Sequence, residues 1–172
     1  TKVSMVLTGE FGTKKEIINL IKIKNKVVIM KYLNYGKAIC YSGYRKNQSP
    51  ITQIYPTYEN ILEDLKILEN DFDYIRMYDA NDHTKMTLET IRKNDLKLKV
   101  LVGMDLLGEA NNHNCAWGGD YSVEEIAKNI EYNQSQLHKA IELVNEFEDI
   151  VLGVSAGNEA VPEWNENLVS PG

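Results

Sequence analysis

The chain has 172 residues, 43% of them hydrophobic and 26% charged, which fits one ordinary globular domain. A net charge of −6 with no clustered Lys/Arg face argues against nucleic acid as a partner. The densest basic stretch, Lys22-Ile23-Lys24-Asn25-Lys26, is short, alternates with neutral residues and reads as a solvated face. No apolar run approaches the roughly 20 residues needed to span a bilayer, and no signal-peptide pattern follows Thr1. The compartment stays open.

Residues 1–36 read as an extension distinct from the rest. Thr13 is placed to cap a helix running from Lys14 to about Ile23, and Val27 to Leu33 reads as a strand. Asn34-Tyr35-Gly36 is a turn signal, and no chemistry is evident here. From Lys37 onward a regular alternation begins. Ala38-Ile39-Cys40-Tyr41 is a short apolar strand, followed by a polar loop closed at Tyr55-Pro56. Thr57 caps a helix from Tyr58 to Glu69, with Ile61, Leu62, Leu65 and Leu68 at helical spacing. Tyr74 to Tyr78 is a second strand, and Thr84 to Lys93 a second helix with Met86, Leu88 and Ile91 on its apolar side. Leu98 to Met104 is a third strand, and a long loop runs from Asp105 to Tyr121.

Ser122 with Glu125 three residues later is a capping box. It opens a long helix from Val123 to about Glu148, with Ile126, Ile130, Leu137, Ile141 and Val144 along it. The stretch Asp149 to Glu159 begins as a β-branched apolar run and reads as a strand buried on both faces. This order predicts an α/β fold with parallel strands and right-handed crossovers. Four such strands suit either an opening doubly wound sheet or half of a (β/α)8 TIM-type barrel. No dinucleotide fingerprint follows the first strand, because Ser42-Gly43-Tyr44 lacks the glycine spacing, and there is no Walker A lysine motif.

In a barrel, catalytic groups sit at the C-terminal ends of the strands. Those ends offer Tyr41, Tyr44 and Arg45, then Arg76, Tyr78, Asp79 and Asn81, then Asp105, Glu109, Asn112 and Trp117, and finally Asn158, Glu159 and Trp164. Aromatics, carboxylates and amides in one place suit sugars, whose C–H faces stack on rings and whose hydroxyls pair with Asp, Asn and Arg. Taken singly, Tyr41 reads equally as core packing with a satisfied hydroxyl, and Glu159 as a solvated strand-end acid. Trp117, in a Gly- and Asn-rich loop, favours a binding role.

The three histidines, His83, His113 and His138, carry no catalytic pattern. His113 with Cys115 lacks the four-ligand spacing of a zinc site, so no metal and no cofactor is expected. Cys40, in a strand expected to be buried, and Cys115, in a loop, are not expected to form a disulfide. Gly153-Val154-Ser155-Ala156-Gly157 matches G-x-S-x-G, but Ser155 lies within the apolar strand run and no helix follows directly.

Four stretches carry a family resemblance: Lys37 to Arg45, Ile75-Arg76-Met77-Tyr78-Asp79, Cys115-Ala116-Trp117-Gly118-Gly119, and Val154-Ser155-Ala156-Gly157-Asn158-Glu159-Ala160. The chain resembles family 17 glycoside hydrolases, the β-1,3-glucanase type, and in particular their bacterial branch, over about Gly36 to Pro171. The resemblance implies a (β/α)8 barrel in which an Asn-Glu pair ends the fourth strand. Carried over, Glu159 is the general acid/base and Asn158 orients the sugar hydroxyl beside the reacting carbon. Tyr41, Tyr78, Asp79 and Trp117 would line a cleft for a polysaccharide or oligosaccharide substrate. Retaining glycoside hydrolysis needs two carboxyl groups about 5–5.5 Å apart, and the acid must hold its proton by desolvation or by a neighbouring like charge.

The family's nucleophile is a Glu at the end of the seventh strand, beyond Gly172, and Glu163 and Glu166 lie too close in sequence to Glu159 to replace it. Residues 37–172 are therefore expected to form the N-terminal half of such a barrel, inactive alone and prone to self-association through its open edges. Two rivals stand beside this. One is a half-barrel that binds carbohydrate or a partner without catalysis. The other is an acyl hydrolase using Ser155.

Overall fold

The computed structural model describes residues 35–160 and 164–169. The expected helix over 14–23, the strand over 27–33 and Glu163 lie outside the described residues. The chain divides into two compact units. A sheet unit comprises Gly36–Asp105 and Ser135–Asn158, and the described part of a loop unit comprises Leu106–Gln134 with residues from Glu159 onward.

The sheet unit is a four-stranded parallel sheet in the order β1-β2-β3-β4: β1 Ala38–Cys40, β2 Tyr74–Arg76, β3 Lys99–Met104 and β4 Val151–Ala156. Helices alternate with the strands: α1 Tyr58–Leu68, α2 Asp82–Lys93 and α3 Val123–Glu146. The α/β class and the parallel alternation agree with the reading from sequence. Register aligns Ile39, Ile75 and Val100 across β1 to β3, and Val102 with Val154 across β3 and β4. Ile75, Val100 and Val102 are fully buried; along β3, Val100, Val102 and Met104 keep the period-2 spacing of one strand face, and Gly103 is buried as well.

β4 is the main correction. It is shorter than the Asp149–Glu159 run, and none of its residues is fully buried. It lies at the end of the strand order with only β3 as neighbour among the described residues. The ladder also slips between Val100 and Leu101, which pair with Val151 and Gly153, so Leu152 has no partner and is 38% exposed. Cys40, expected in a buried strand, is exposed for the same reason, since β1 is the opposite end of the order. Cys40 and Cys115 are both free thiols.

The helix caps follow local chemistry. Thr57 Oγ1 accepts from the Asn60 backbone N–H at 3.3 Å, and Asn60 Oδ1 accepts from the Thr57 N–H at 3.4 Å. Ser122 and Glu125 close a second reciprocal box, with bonds of 3.2 and 2.8 Å. α2 begins two residues earlier than expected, because Asn81 takes the cap and accepts from the Thr84 N–H at 3.1 Å. Its buried side includes Thr84, Thr87 and Thr90 beside Leu88 and Ile91. Each threonine hydroxyl bonds back to a carbonyl of its own segment: Asp79 at 2.6 Å, His83 at 2.9 Å and Met86 at 2.7 Å. The three threonine hydroxyls thus enter the core already paired.

The line that α3 buries shares Leu137 with the one expected but otherwise differs from it. Asn133, Gln136, Leu137, Ala140 and Leu143 are buried, whereas Ile130 is exposed. Gln136 Oε1 accepts from the Ala80 N–H at 3.2 Å, within the sheet unit. Asn133 accepts from the Leu107 N–H at 2.8 Å and donates to the Leu107 carbonyl at 2.9 Å, within the loop unit. Amides that satisfy loop backbone are worth burying where an isoleucine would leave those groups unpaired.

Candidate functional site

In the sheet unit, β2 ends in Arg76, whose side chain Nη2 donates to Asn158 Oδ1 at 3.0 Å. The bond reaches past β3 to the residue that follows β4 by two positions. It fixes which way the amide faces: with Oδ1 accepting from arginine, the Asn158 Nδ2 hydrogens are turned toward other acceptors. The Arg76 guanidinium also lies over the Tyr78 ring, 5.0 Å from its centroid. Tyr78 is exposed, and its hydroxyl is pushed up chiefly by the hydrogen bond it shares with the Cys40 thiol. Arg76, Tyr78 and Asn158 therefore form one connected group.

Asp79 follows directly. Burial, and then the charge of Asp105, push its carboxyl up to about 6, against its own backbone N–H and Lys139, which favour the ionised form. Asp105 is also raised by burial, although much of that residue stays open to solvent. The Tyr44 hydroxyl is pushed up to about 12 by burial and by Asp79, with a hydrogen bond to Asn81 opposing.

Tyr41 is placed elsewhere. Its N–H bonds to the Arg76 carbonyl at 3.0 Å, carrying the β1 pairing one residue further. Its side chain is buried, and its hydroxyl donates to Asp64 Oδ2 at 3.1 Å, a carboxylate that Arg45 grips through both terminal nitrogens at 2.9 and 2.6 Å. Burial first, then the Asp64 charge, raise the Tyr41 phenol far above its ordinary value. That hydroxyl is already occupied, which is the core-packing alternative.

His83 was given no role from sequence, yet it sits at the centre of an aromatic cage. Its ring lies 5.7 Å from Tyr41, 5.1 Å from Tyr44 and 6.5 Å from Tyr55, the last nearly parallel at 7°. It is 2% exposed, and Nε2 is buried without a hydrogen-bond partner among the described residues. Burial lowers it to about 4, with Asp64 opposing, so the imidazole is neutral at ordinary pH. Its sequence context, second in a helix after an asparagine cap, gives no sign of this.

In the loop unit, Trp117 and Trp164 are 66% and 50% exposed, with ring centroids 6.5 Å apart and planes at 48°. Asn112 is buried. It bonds to the Gly119 carbonyl at 2.8 Å through its N–H and to the Asn165 carbonyl at 2.8 Å through Nδ2. Asn165 Nδ2 in turn donates to the Glu159 carbonyl at 2.9 Å. The Glu159 side chain is exposed, and its backbone is left-handed, with φ of 56°. Gly157, two residues earlier, has φ of 78°. A non-glycine residue held in that region costs about 1–3 kcal/mol and persists only where neighbours enforce it. The Asn165 bond is one such restraint.

Ser155 lies inside β4, paired with Gly103, so the G-x-S-x-G run has no strand–elbow–helix geometry. His113 Nδ1 and Asp120 Oδ1 are 2.7 Å apart in an exposed pair. No group of three or more His, Cys, Asp and Glu side chains is arranged to hold a metal among the described residues. Among the same residues, no helix is long and apolar enough to cross a membrane. Comparison of the chain with protein-family models, curated proteins and solved structures gives no match.

Proposed function

We propose that the chain carries the acid/base side of a retaining glycosidase of the family 17 type, acting on β-1,3-linked glucan by hydrolysis or transglycosylation. The observation that carries this reading is the hydrogen bond from Arg76 to Asn158. It supports the reading by orienting the Asn158 amide so that its N–H groups face acceptors other than Arg76, as pairing with a sugar hydroxyl would need. Glu159, the next residue, would protonate the glycosidic oxygen as the bond to the anomeric carbon breaks. It would then take a proton from the water, or the acceptor sugar, that releases the glycosyl intermediate. The partner carboxylate of the reaction belongs to a seventh strand, by the resemblance.

The strand order supports a barrel as the setting. Doubly wound sheets reverse direction at a switch point, and their helices cover both faces. Here each crossover moves one strand onward in the same direction. Uniformly right-handed crossovers then put every connecting helix on the same face, as around a (β/α)8 barrel.

The test joins the chain to a second half-barrel that carries the nucleophile and measures reducing ends released from a soluble β-1,3-glucan, wild type against Glu159→Gln. The reading expects a loss of orders of magnitude in the variant with glucan binding retained, and equal turnover would refute it. The exposed Trp117–Trp164 pair supports a second reading, a module that binds glucan without cleaving it. Retention on a glucan gel with no product from the wild type would select that one.

A further inference from the structure

We infer that residues 46–55 form an acid-operated latch, whose Tyr55 covers His83 and swings away when the imidazole takes a proton. The latch lies in the loop between β1 and α1 and is independent of the glucan reading.

A buried ring nitrogen without a hydrogen-bond partner calls for a reason. His83 Nε2 is such an atom among the described residues, in a side chain 2% exposed. Two of the rings around it are fixed. Tyr41 is buried, and its hydroxyl is held by Asp64. Tyr44 bonds with Asn81 and precedes Arg45, whose guanidinium grips Asp64 at 2.9 and 2.6 Å. Asp64 is the charge that favours a protonated His83, but it is already committed to Tyr41 and Arg45. Arg45 also pairs with Glu63 at 3.6 Å. An imidazolium in the closed cage would therefore be buried without a counter-charge of its own.

Tyr55 is held differently. Its ring stacks on His83 at 7° and 6.5 Å, and it is only half-buried. It ends a segment whose bonds are internal: the Gln48 N–H to the Arg45 carbonyl, the Gln53 N–H to the Pro50 carbonyl, and the Ser49–Ile54 bridge. Ile51 and Ile54 are 93% and 53% exposed, so the segment's apolar side chains add little to the core. Asn47 and Gln53 are held left-handed, with φ of 66° and 54°, a strain that release would relieve. Few buried apolar contacts and a strained backbone mark the part of a fold that opens first. The Arg45 clamp and the buried Pro56 hold its two ends, so the segment moves as a flap without disturbing the sheet.

Burial sets the direction of the response. The closed cage holds His83 at about 4, against 6.5 for a solvated ring. Opening therefore takes up a proton between those values and is favoured as pH falls. The ratio of open to closed should rise about 30-fold from about pH 8 to about pH 5. Burial first, then Asp79 and Asp82, push the Tyr55 hydroxyl up, which sets both carboxyls beside the moving ring. Lifting Tyr55 gives the imidazolium water and negative charge together. It also admits water to Asp79, whose carboxyl is raised chiefly by burial. The latch thereby couples acidification to the strand-end residue that follows Tyr78.

The experiment is nuclear magnetic resonance of the intact protein with labelled histidine and tyrosine rings, from about pH 8 to about pH 4. The contact between His83 and Tyr55 should weaken as the imidazole protonates. Contacts of His83 with Tyr41 and Tyr44, and the amide signals of β3, should persist. In His83→Phe the contact from ring 83 to Tyr55 should survive to about pH 4. Tyr55→Ala removes a half-exposed cover and should move the His83 titration from about 4 toward 6.5. Four results would each overturn the latch: a protonated His83 with Tyr55 still against it, the same loss of contact in His83→Phe, loss of the β3 signals together with the cage, or an unmoved titration in Tyr55→Ala. None of them bears on the glucan reading.

Discussion

The caged His83 makes the protein's stability depend on pH in a way one substitution can isolate. The imidazole is held neutral, at about 4 in the folded chain against 6.5 when solvated. A base with a lowered folded value binds more protons unfolded than folded between those two limits. Its contribution is fully present above about 6.5 and is lost progressively as pH falls toward about 4. The full gap corresponds to about 3 kcal/mol, of which about 2 kcal/mol is spent by about pH 5. Asp79 acts in the opposite sense over much of the same window, because its raised carboxyl is relieved by protonation, so the net wild-type curve conceals both. His83→Phe keeps a ring inside Tyr41, Tyr44 and Tyr55 and removes the titration. Urea unfolding of both proteins at about pH 8 and about pH 5 gives the difference in which Asp79 cancels. The variant should gain about 2 kcal/mol relative to wild type on going to the lower pH. It should already be the more stable by about 1 kcal/mol at the higher pH, because the unpartnered Nε2 is gone. If the two proteins lose stability in parallel, the reasoning that burial holds His83 neutral is wrong.

Other substitutions test the remaining geometry. Asp79→Asn should stabilise the protein by about 1–2 kcal/mol at about pH 8, where wild type keeps a half-buried carboxylate ionised. That advantage should fade as pH falls through about 6 toward the ordinary carboxylate value, as denaturation midpoints across pH would show. Gly103→Ala would drive a Cβ into the Met77 and Tyr78 backbone, which cannot move aside cheaply. A loss of about 3 kcal/mol or more in urea unfolding is expected, and a neutral substitution would mean that β3 and the Met77–Tyr78 backbone after β2 are not this close. Glu159→Gly should raise stability by about 1 kcal/mol by relieving the left-handed backbone. A fall in stability would show that this backbone is not strained. Thr57→Ala should cost about 1 kcal/mol through the lost α1 cap, read from the thermal midpoint.

The reading of the elements from sequence held where the signal was local. The Thr57 and Ser122 caps, the helical spacing of Ile61 and Leu65, and the β-branched run of β3 each depend on residues within a few positions of one another. They were therefore legible before any packing was known. The start of α2 was placed at Thr84, two residues late, because the cap formed by Asn81 on the Thr84 N–H was not read from the sequence. The buried line of α3 was misjudged because hydrophobicity favoured Ile130. Asn133 and Gln136 were chosen instead by the unpaired backbone groups of Leu107 and Ala80, which no periodicity reveals. The exposure of β4 likewise depended on its neighbours rather than on its own apolar residues.

By itself, the sequence determined the α/β alternation, the parallel sheet it implies and the polar and aromatic chemistry gathered at the strand ends. These follow from periodicity, capping and composition, which act over one element at a time. The tertiary structure decided which of those residues meet. It joined Arg76 to Asn158 across 82 positions, turned Tyr41 away to Asp64, enclosed His83 among three tyrosines and set Trp164 against Trp117. Each of these pairings links residues from different segments, and its geometry depends on strand register and loop path. A side chain's hydrogen-bond partner and its exposure are set only when the segments pack, because both depend on what the rest of the chain brings within a few ångströms.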